Sequence, residues 1–260
     1  MTLLDDLLSD LTAEGDRLWA TVSGLDADGW ATATPAAGWT VSTQVAHLLW
    51  TDEVATIAAT DKAAWDAIVL DAINDPMGYV DAQALEVARL APEALLARWG
   101  AAREGLRAAL RDYPAGQKMP WFGPPMSAAS MATARFMETW AHALDVYDAL
   151  GVEPERSDRV RHVAHLGVRT RDFAFSVHEL EPPAGEFRID LVSPSGDVWS
   201  WGPEDAAQTV TGSAWDFCLL VTQRVHRDDT DLVASGADAD RWLTIAQAFA
   251  GPSGEGRAKK

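Results

Sequence analysis

The feature that most constrains this chain is a change in its hydrophobic period. Through about residue 180, apolar side chains recur at helical spacing. After Glu181-Pro182-Pro183-Ala184-Gly185 they alternate every second residue. A period of 3.6 calls for helices that bury one stripe, and a period of 2 for strands that bury one face, so one uniform architecture cannot satisfy both halves. The reading is a mostly α chain with an α+β C-terminal part: a helical bundle over residues 1–180 and a small α+β domain over residues 186–252, divided at the Pro-rich junction.

Within the helical part, Leu3, Leu4, Leu7, Leu8, Leu11, Leu18 and Val22 predict a first amphipathic helix over about 2–23. Thr40 is placed to cap a second helix running to Thr60, with possible continuation from Asp61 to Asn74. A third begins after Asp81, or at Pro92 as a first-turn residue, and runs to Asp112. Ser127 caps a fourth, Ala128 to Leu150, which Gly151 closes. A fifth is expected from Ser157 to Glu179. Beyond the junction, Phe187–Val192 and Val198–Gly202 flank Ser193-Pro194-Ser195-Gly196-Asp197 as a β-hairpin. A third strand follows at 207–211, then a Ser213-capped helix to His226, a strand near 232–234 and a last helix over 239–249.

The chemical lead lies in the fourth helix. Glu138, His142 and Asp145 fall within roughly 60° of arc on a stripe shared with Met131, Ala134, Ala141 and Ala149, so charged groups face inward among small apolar ones. A Glu and a His one turn apart can reach one metal ion, the first with an anionic oxygen and the second with a neutral nitrogen. The competing reading is a solvated helix on which Arg135 and Glu138 form an i, i+3 ion pair. His47, read from its neighbours Val41, Val45, Leu48 and Leu49 alone, is a satisfied structural histidine. His162 and His165 share a helix with Arg159, Arg161, Arg169 and Arg171, whose charge opposes a bound cation.

Composition closes off other classes. The single cysteine, Cys218, excludes a disulfide framework, and its apolar setting marks a buried structural thiol. A net charge of −18 with no large Lys/Arg cluster disfavours nucleic acid and anionic lipid as partners. The N-terminal stretch carries neither a secretion signal nor a membrane span, which predicts a cytoplasmic protein.

Gly38-Trp39-Thr40-Val41-Ser42-Thr43-Gln44-Val45-Ala46-His47-Leu48, followed some ninety residues later by Glu138-x-x-x-His142-x-x-Asp145, resembles the mycothiol-dependent maleylpyruvate isomerase family of DinB-like four-helix bundles. The C-terminal part is similar to the sterol-carrier-protein-like domain of that family. Trp121-Phe122-Gly123-Pro124-Pro125-Met126-Ser127 suggests a subgroup of metal-binding actinobacterial proteins. The resemblance implies metal ligands His47, Glu138 and His142, which reverses the first reading of His47. Zinc is the implied metal, and nickel or iron(II) fits the same ligands. It also implies mycothiol as cosubstrate, and hence a transferase or isomerase in which a small thiol attacks a small electrophilic substrate. Two other classes stay open: a metal-binding stress or binding protein without turnover, and a metal-dependent hydrolase using Asp145 or Asp52 as its base. Asp145 either orients a ligand imidazole or pairs with an arginine. Arg135 either clamps a substrate carboxylate or neutralises an acid across the bundle. The Trp121 segment either lines a pocket or plugs the bundle end. Arg224 and Arg227 are further candidates for an anionic contact, and the oligomeric state, monomer or homodimer, is left open.

Overall fold

The computed structural model describes residues 2–251, 253–254 and 256–260. Met1 and Pro252, the outer limits of the two expected domains, lie outside the described residues. The chain forms two compact units, Met1–Pro154 and Glu155–Lys260.

The first unit contains α1 (Leu3–Val22), α2 (Ala27–Trp30), α3 (Val41–Thr60), α4 (Lys62–Asn74), α5 (Tyr79–Val87), α6 (Pro92–Asp112) and α7 (Ala128–Leu150). Its four long helices start and stop where local chemistry says they should. The Thr40 side chain accepts from the Thr43 N–H at the start of α3, and Ser127 accepts from Ser130 N–H at the start of α7. Gly151, at φ 65° and ψ 31°, ends α7 in the left-handed conformation that favours glycine. Of the two starting points expected for the third helix, Pro92 is the one observed, at the start of α6; Asp81 lies inside a separate short helix, α5, from Tyr79 to Val87. Helix α3 packs on α5, α6 and α7, while α1 lies against α6 and α7. Because α3 is covered on all sides, its polar residues Gln44, His47 and Asp52 are buried together with Val45, Leu48 and Leu49. A helix in that position presents chemistry to the bundle interior.

The second unit opens with a 3-10 turn at Asp158–Val160, then α8 (Arg161–Arg169) and α9 (Arg171–Val177). The single fifth helix expected over 157–179 is therefore two helices. Thr170 breaks it, its hydroxyl donating to Gln247 O at 2.7 Å. Strands β1 (Arg188–Val192), β2 (Val198–Trp201), β3 (Thr209–Ser213) and β4 (Val233–Ser235) form one sheet in the order β2-β1-β3-β4. The expected hairpin is β1–β2, in register from Ile189↔Trp201 to Val192↔Val198, while β3 joins β1 in parallel. Helices α10 (Ala214–Val221) and α11 (Ala237–Ile245) complete the unit, each shorter than expected.

The expected division at 181–186 moves to Pro154–Glu155. Helices α8 and α9 pack on α10 and α11: Gly167 lies so close to Val221 and Phe217 that a Cβ there would come within 2.9 Å of the valine. The Pro-rich segment is an internal connection of the second unit, held by Arg171, which donates to Gly185 O and Pro183 O. Cys218 is buried, donates to Val160 O at 3.3 Å, and has its thiol pushed well up by burial, consistent with a structural thiol. Among the described residues, no helix is long and apolar enough to cross a membrane.

Candidate functional site

Helices α3 and α7 face each other with polar residues at matching levels. His47, on the second turn of α3, is 7% exposed. Its Nε2 lies 3.4 Å from Glu138 Oε2 of α7, and His142 Nε2, one turn along α7, lies 3.2 Å from the same oxygen. The ring centroids of His47 and His142 are 4.4 Å apart. One nitrogen from each imidazole and one carboxylate oxygen all lie within 4.8 Å of one another, and no other group of three or more His, Cys, Asp or Glu converges in this way among the described residues. Ligand atoms about 2.0–2.2 Å from a tetrahedral zinc are roughly 3.3–3.6 Å apart, and the two imidazole-to-carboxylate distances are close to that, so the trio could hold an ion.

Burial alone would raise the Glu138 pKa, but the hydrogen bonds and charge of His142 and His47 outweigh it and hold the carboxyl well below the usual carboxylate range. An ionised Glu138 beside two imidazoles suits a cation. The Glu138 side chain is 23% exposed, so the group is not fully sealed from solvent. Over another side lies Trp39, its ring stacked on His142 at 5.7 Å and tilted against His47 at 5.4 Å.

The remaining expected site residues fall elsewhere. Arg135 is 2% exposed, and its Nε donates to Asp52 Oδ1 at 3.0 Å, so it neutralises an acid across the bundle. Asp52 also accepts from Trp99 Nε1 at 3.3 Å. Burial pushes the Asp52 carboxyl up, against the pull of Arg135 and Trp99. Asp145 is buried one turn beyond His142. Trp121, half-buried, stacks on Trp65 at 5.7 Å, meets Phe122 edge-on and packs against the apolar cluster of Trp50, Val54, Ala58 and Trp65. In the second unit, Arg224 donates to Thr222 O and Arg227 to Asp240, both local bonds. Around His165, partial burial of the ring and then the charges of Arg169, His162 and Arg161 lower its pKa.

Two site residues escaped the sequence reading. Trp39 was visible only as part of a motif, and Gln44, whose Oε1 lies 2.5 Å from His142 Nδ1, is one helical turn before His47. That spacing was the available signal: an amide at i−3 from an inward histidine is itself inward.

Comparison with known proteins places the bundle in a family. The family model described as "Mycothiol maleylpyruvate isomerase N-terminal domain" matches residues 11–147, just over half the chain, and one described as "Wyosine base formation" matches residues 183–235. An uncharacterised protein of Mycobacterium tuberculosis, recorded in strains H37Rv and CDC 1551, is 58% identical over 250 residues, covering 96% of this chain and 97% of the relative. The crystal structure of the mycothiol-dependent maleylpyruvate isomerase superimposes with a TM-score of 0.59 over 90% of this chain and 95% of that one, at 16% identity. A His-to-Ala mutant of that enzyme gives a TM-score of 0.60 with the same coverage and identity. At that identity the structural likeness speaks for the shared DinB-like fold. On the family match over the bundle, the chain belongs to the mycothiol maleylpyruvate isomerase N-terminal domain family.

Proposed function

We propose that this chain is a metal-dependent, thiol-using enzyme of the isomerase or transferase class, with His47, Glu138 and His142 as ligands of a divalent ion, most simply zinc. The observation that carries the proposal is the convergence of two imidazole nitrogens and one ionised carboxylate oxygen within 4.8 Å in the bundle. Family membership supports the thiol-dependent part. When bound, a divalent ion with an open position lowers the pKa of a thiol and so supplies a thiolate near neutral pH.

The protein's own groups do the rest. Three protein ligands leave at least one position for an incoming group, as in catalytic rather than structural centres. The partly exposed Glu138 marks the side of approach, and Trp39 covers the two imidazoles and keeps water from that face. Arg135 and Asp52 are tied to each other in the interior, which removes Asp52 as the base of the hydrolase alternative and leaves Asp145 as its candidate. A thiolate that adds to an electrophilic carbon and later departs gives isomerisation, and one that stays while a halide leaves that carbon gives transfer.

The test is turnover by the zinc-loaded protein with mycothiol and either maleylpyruvate or an aryl halide. The expected result is thiol-dependent conversion of one of them that falls at least about a hundredfold in His142→Ala, in line with removal of a metal ligand. Conversion that needs no thiol, or that survives in His142→Ala, overturns the proposal. Stoichiometric metal without any turnover identifies a binding protein instead.

A further inference from the structure

The hydrogen bonds around Gln44 fix a proton as well as a side chain. Thr34 Oγ1 donates its only hydrogen to Trp39 O at 3.1 Å, so towards Gln44 it can only accept. The Gln44 atom 2.8 Å from it is accordingly the amide nitrogen. This turns Gln44 Oε1, which can only accept, towards His142 Nδ1 at 2.5 Å. Two acceptors thus compete for the one hydrogen of neutral His142, and the shorter, fully buried contact, 2.5 Å to Gln44 Oε1 against 3.2 Å from Nε2 to Glu138 Oε2, holds it on Nδ1. The imidazolium donates to both partners, whereas a neutral imidazole has one N–H, so with that hydrogen on Nδ1 the Nε2 lone pair is left for a cation shared with Glu138.

From this chain of donors we infer that Gln44 is a positioning residue that sets the tautomer of His142, and that Thr34 in turn sets the orientation of Gln44. Gln44 is fully buried and Thr34 only 9% exposed, so water does not compete for these bonds. The segment holding Thr34 is itself clamped: Thr34 N–H also donates to Trp39 O at 2.8 Å, and Ala33 bridges Thr40 in antiparallel pairing. One short loop thus supplies both the ring stacked on His142 and the group that orients its amide partner. The two histidines are not equivalent. His47 Nδ1 is buried without a hydrogen-bond partner among the described residues, so His142 is the anchored imidazole and His47 the adjustable one.

The inference rests on the proposed metal centre only for its affinity arm, since the tautomer is a property of the metal-free protein. The experiment is imidazole ¹⁵N NMR of metal-free protein at pH 9, with His142→Gln for assignment, alongside zinc affinity by chelator competition. In the wild type, His142 should be protonated at Nδ1. Gln44→Leu, similar in size but unable to accept, should move the proton to Nε2, where Glu138 accepts it, and weaken zinc about 10–100-fold. Gln44→Glu, an acceptor only, should keep the Nδ1 proton and bind zinc at least as tightly as the wild type. An Nδ1–H imidazole that persists in Gln44→Leu, or zinc affinity unchanged by that variant, overturns the inference. So does loss of the Nδ1 proton in Gln44→Glu. A wild type with the expected tautomer that binds no zinc upholds the role of Gln44 and removes the metal reading alone.

Discussion

Asp52 on α3 and Arg135 on α7 face each other at 3.0 Å, with side chains 5% and 2% exposed. Two charges taken out of water are tolerable only as a pair. Asp52→Ala, which leaves the guanidinium buried and uncompensated, should therefore lower stability by about 3–5 kcal/mol in urea unfolding. Replacing both at once, with Asp52→Leu and Arg135→Met, should recover most of that loss. A single-variant cost under about 1 kcal/mol would mean that the pair is hydrated and contributes no more than a surface bridge. At this scale the sequence spoke clearly only where periodicity was decisive. The inward stripe of α7 exposed Glu138 and His142, whereas His47, set among Val45, Leu48 and Leu49, was chemically silent until the family resemblance singled it out. Gln44 carries no charge and sits in the same helix, and its role comes from a partner 98 residues away, which no local pattern records.

Helix ends were the most legible elements, because the groups that make them are local. Thr40, Ser127 and Gly151 cap or close α3 and α7 as their residue types require. Nothing lies within 4 Å of a Cβ built on Gly151, so Gly151→Ala tests backbone conformation alone. It should cost about 1 kcal/mol by denaturant titration, the penalty of a left-handed non-glycine residue. An unchanged midpoint would show that α7 frays before Gly151. Breaks made by distant contacts were not legible. The split between α8 and α9 depends on the Thr170 bond to Gln247 O, 77 residues on, and the early end of α10 coincides with Thr222 folding its hydroxyl back onto Cys218 O. The Trp121 segment stacks on Trp65, 56 residues earlier, a contact that the local sequence does not record.

For the whole molecule, the change of hydrophobic period foretold a helical bundle followed by an α+β unit, yet it did not mark the division between them. Period reports the kind of element, while membership of a compact unit follows from packing, and α8 and α9 are helices packed on the second unit's α10 and α11. The bundle remains the part that brings two helices, α3 and α7, together around His47, Glu138 and His142. Its central claim is that these three side chains hold one metal ion. Elemental analysis of the protein as isolated, beside His47→Ala and Glu138→Ala, tests this most directly. The account predicts about one divalent ion per chain in the wild type and almost none in either variant, with both variants still helical by circular dichroism. Metal retained at full stoichiometry in either folded variant, or a wild type that stays metal-free after incubation with zinc, would contradict it.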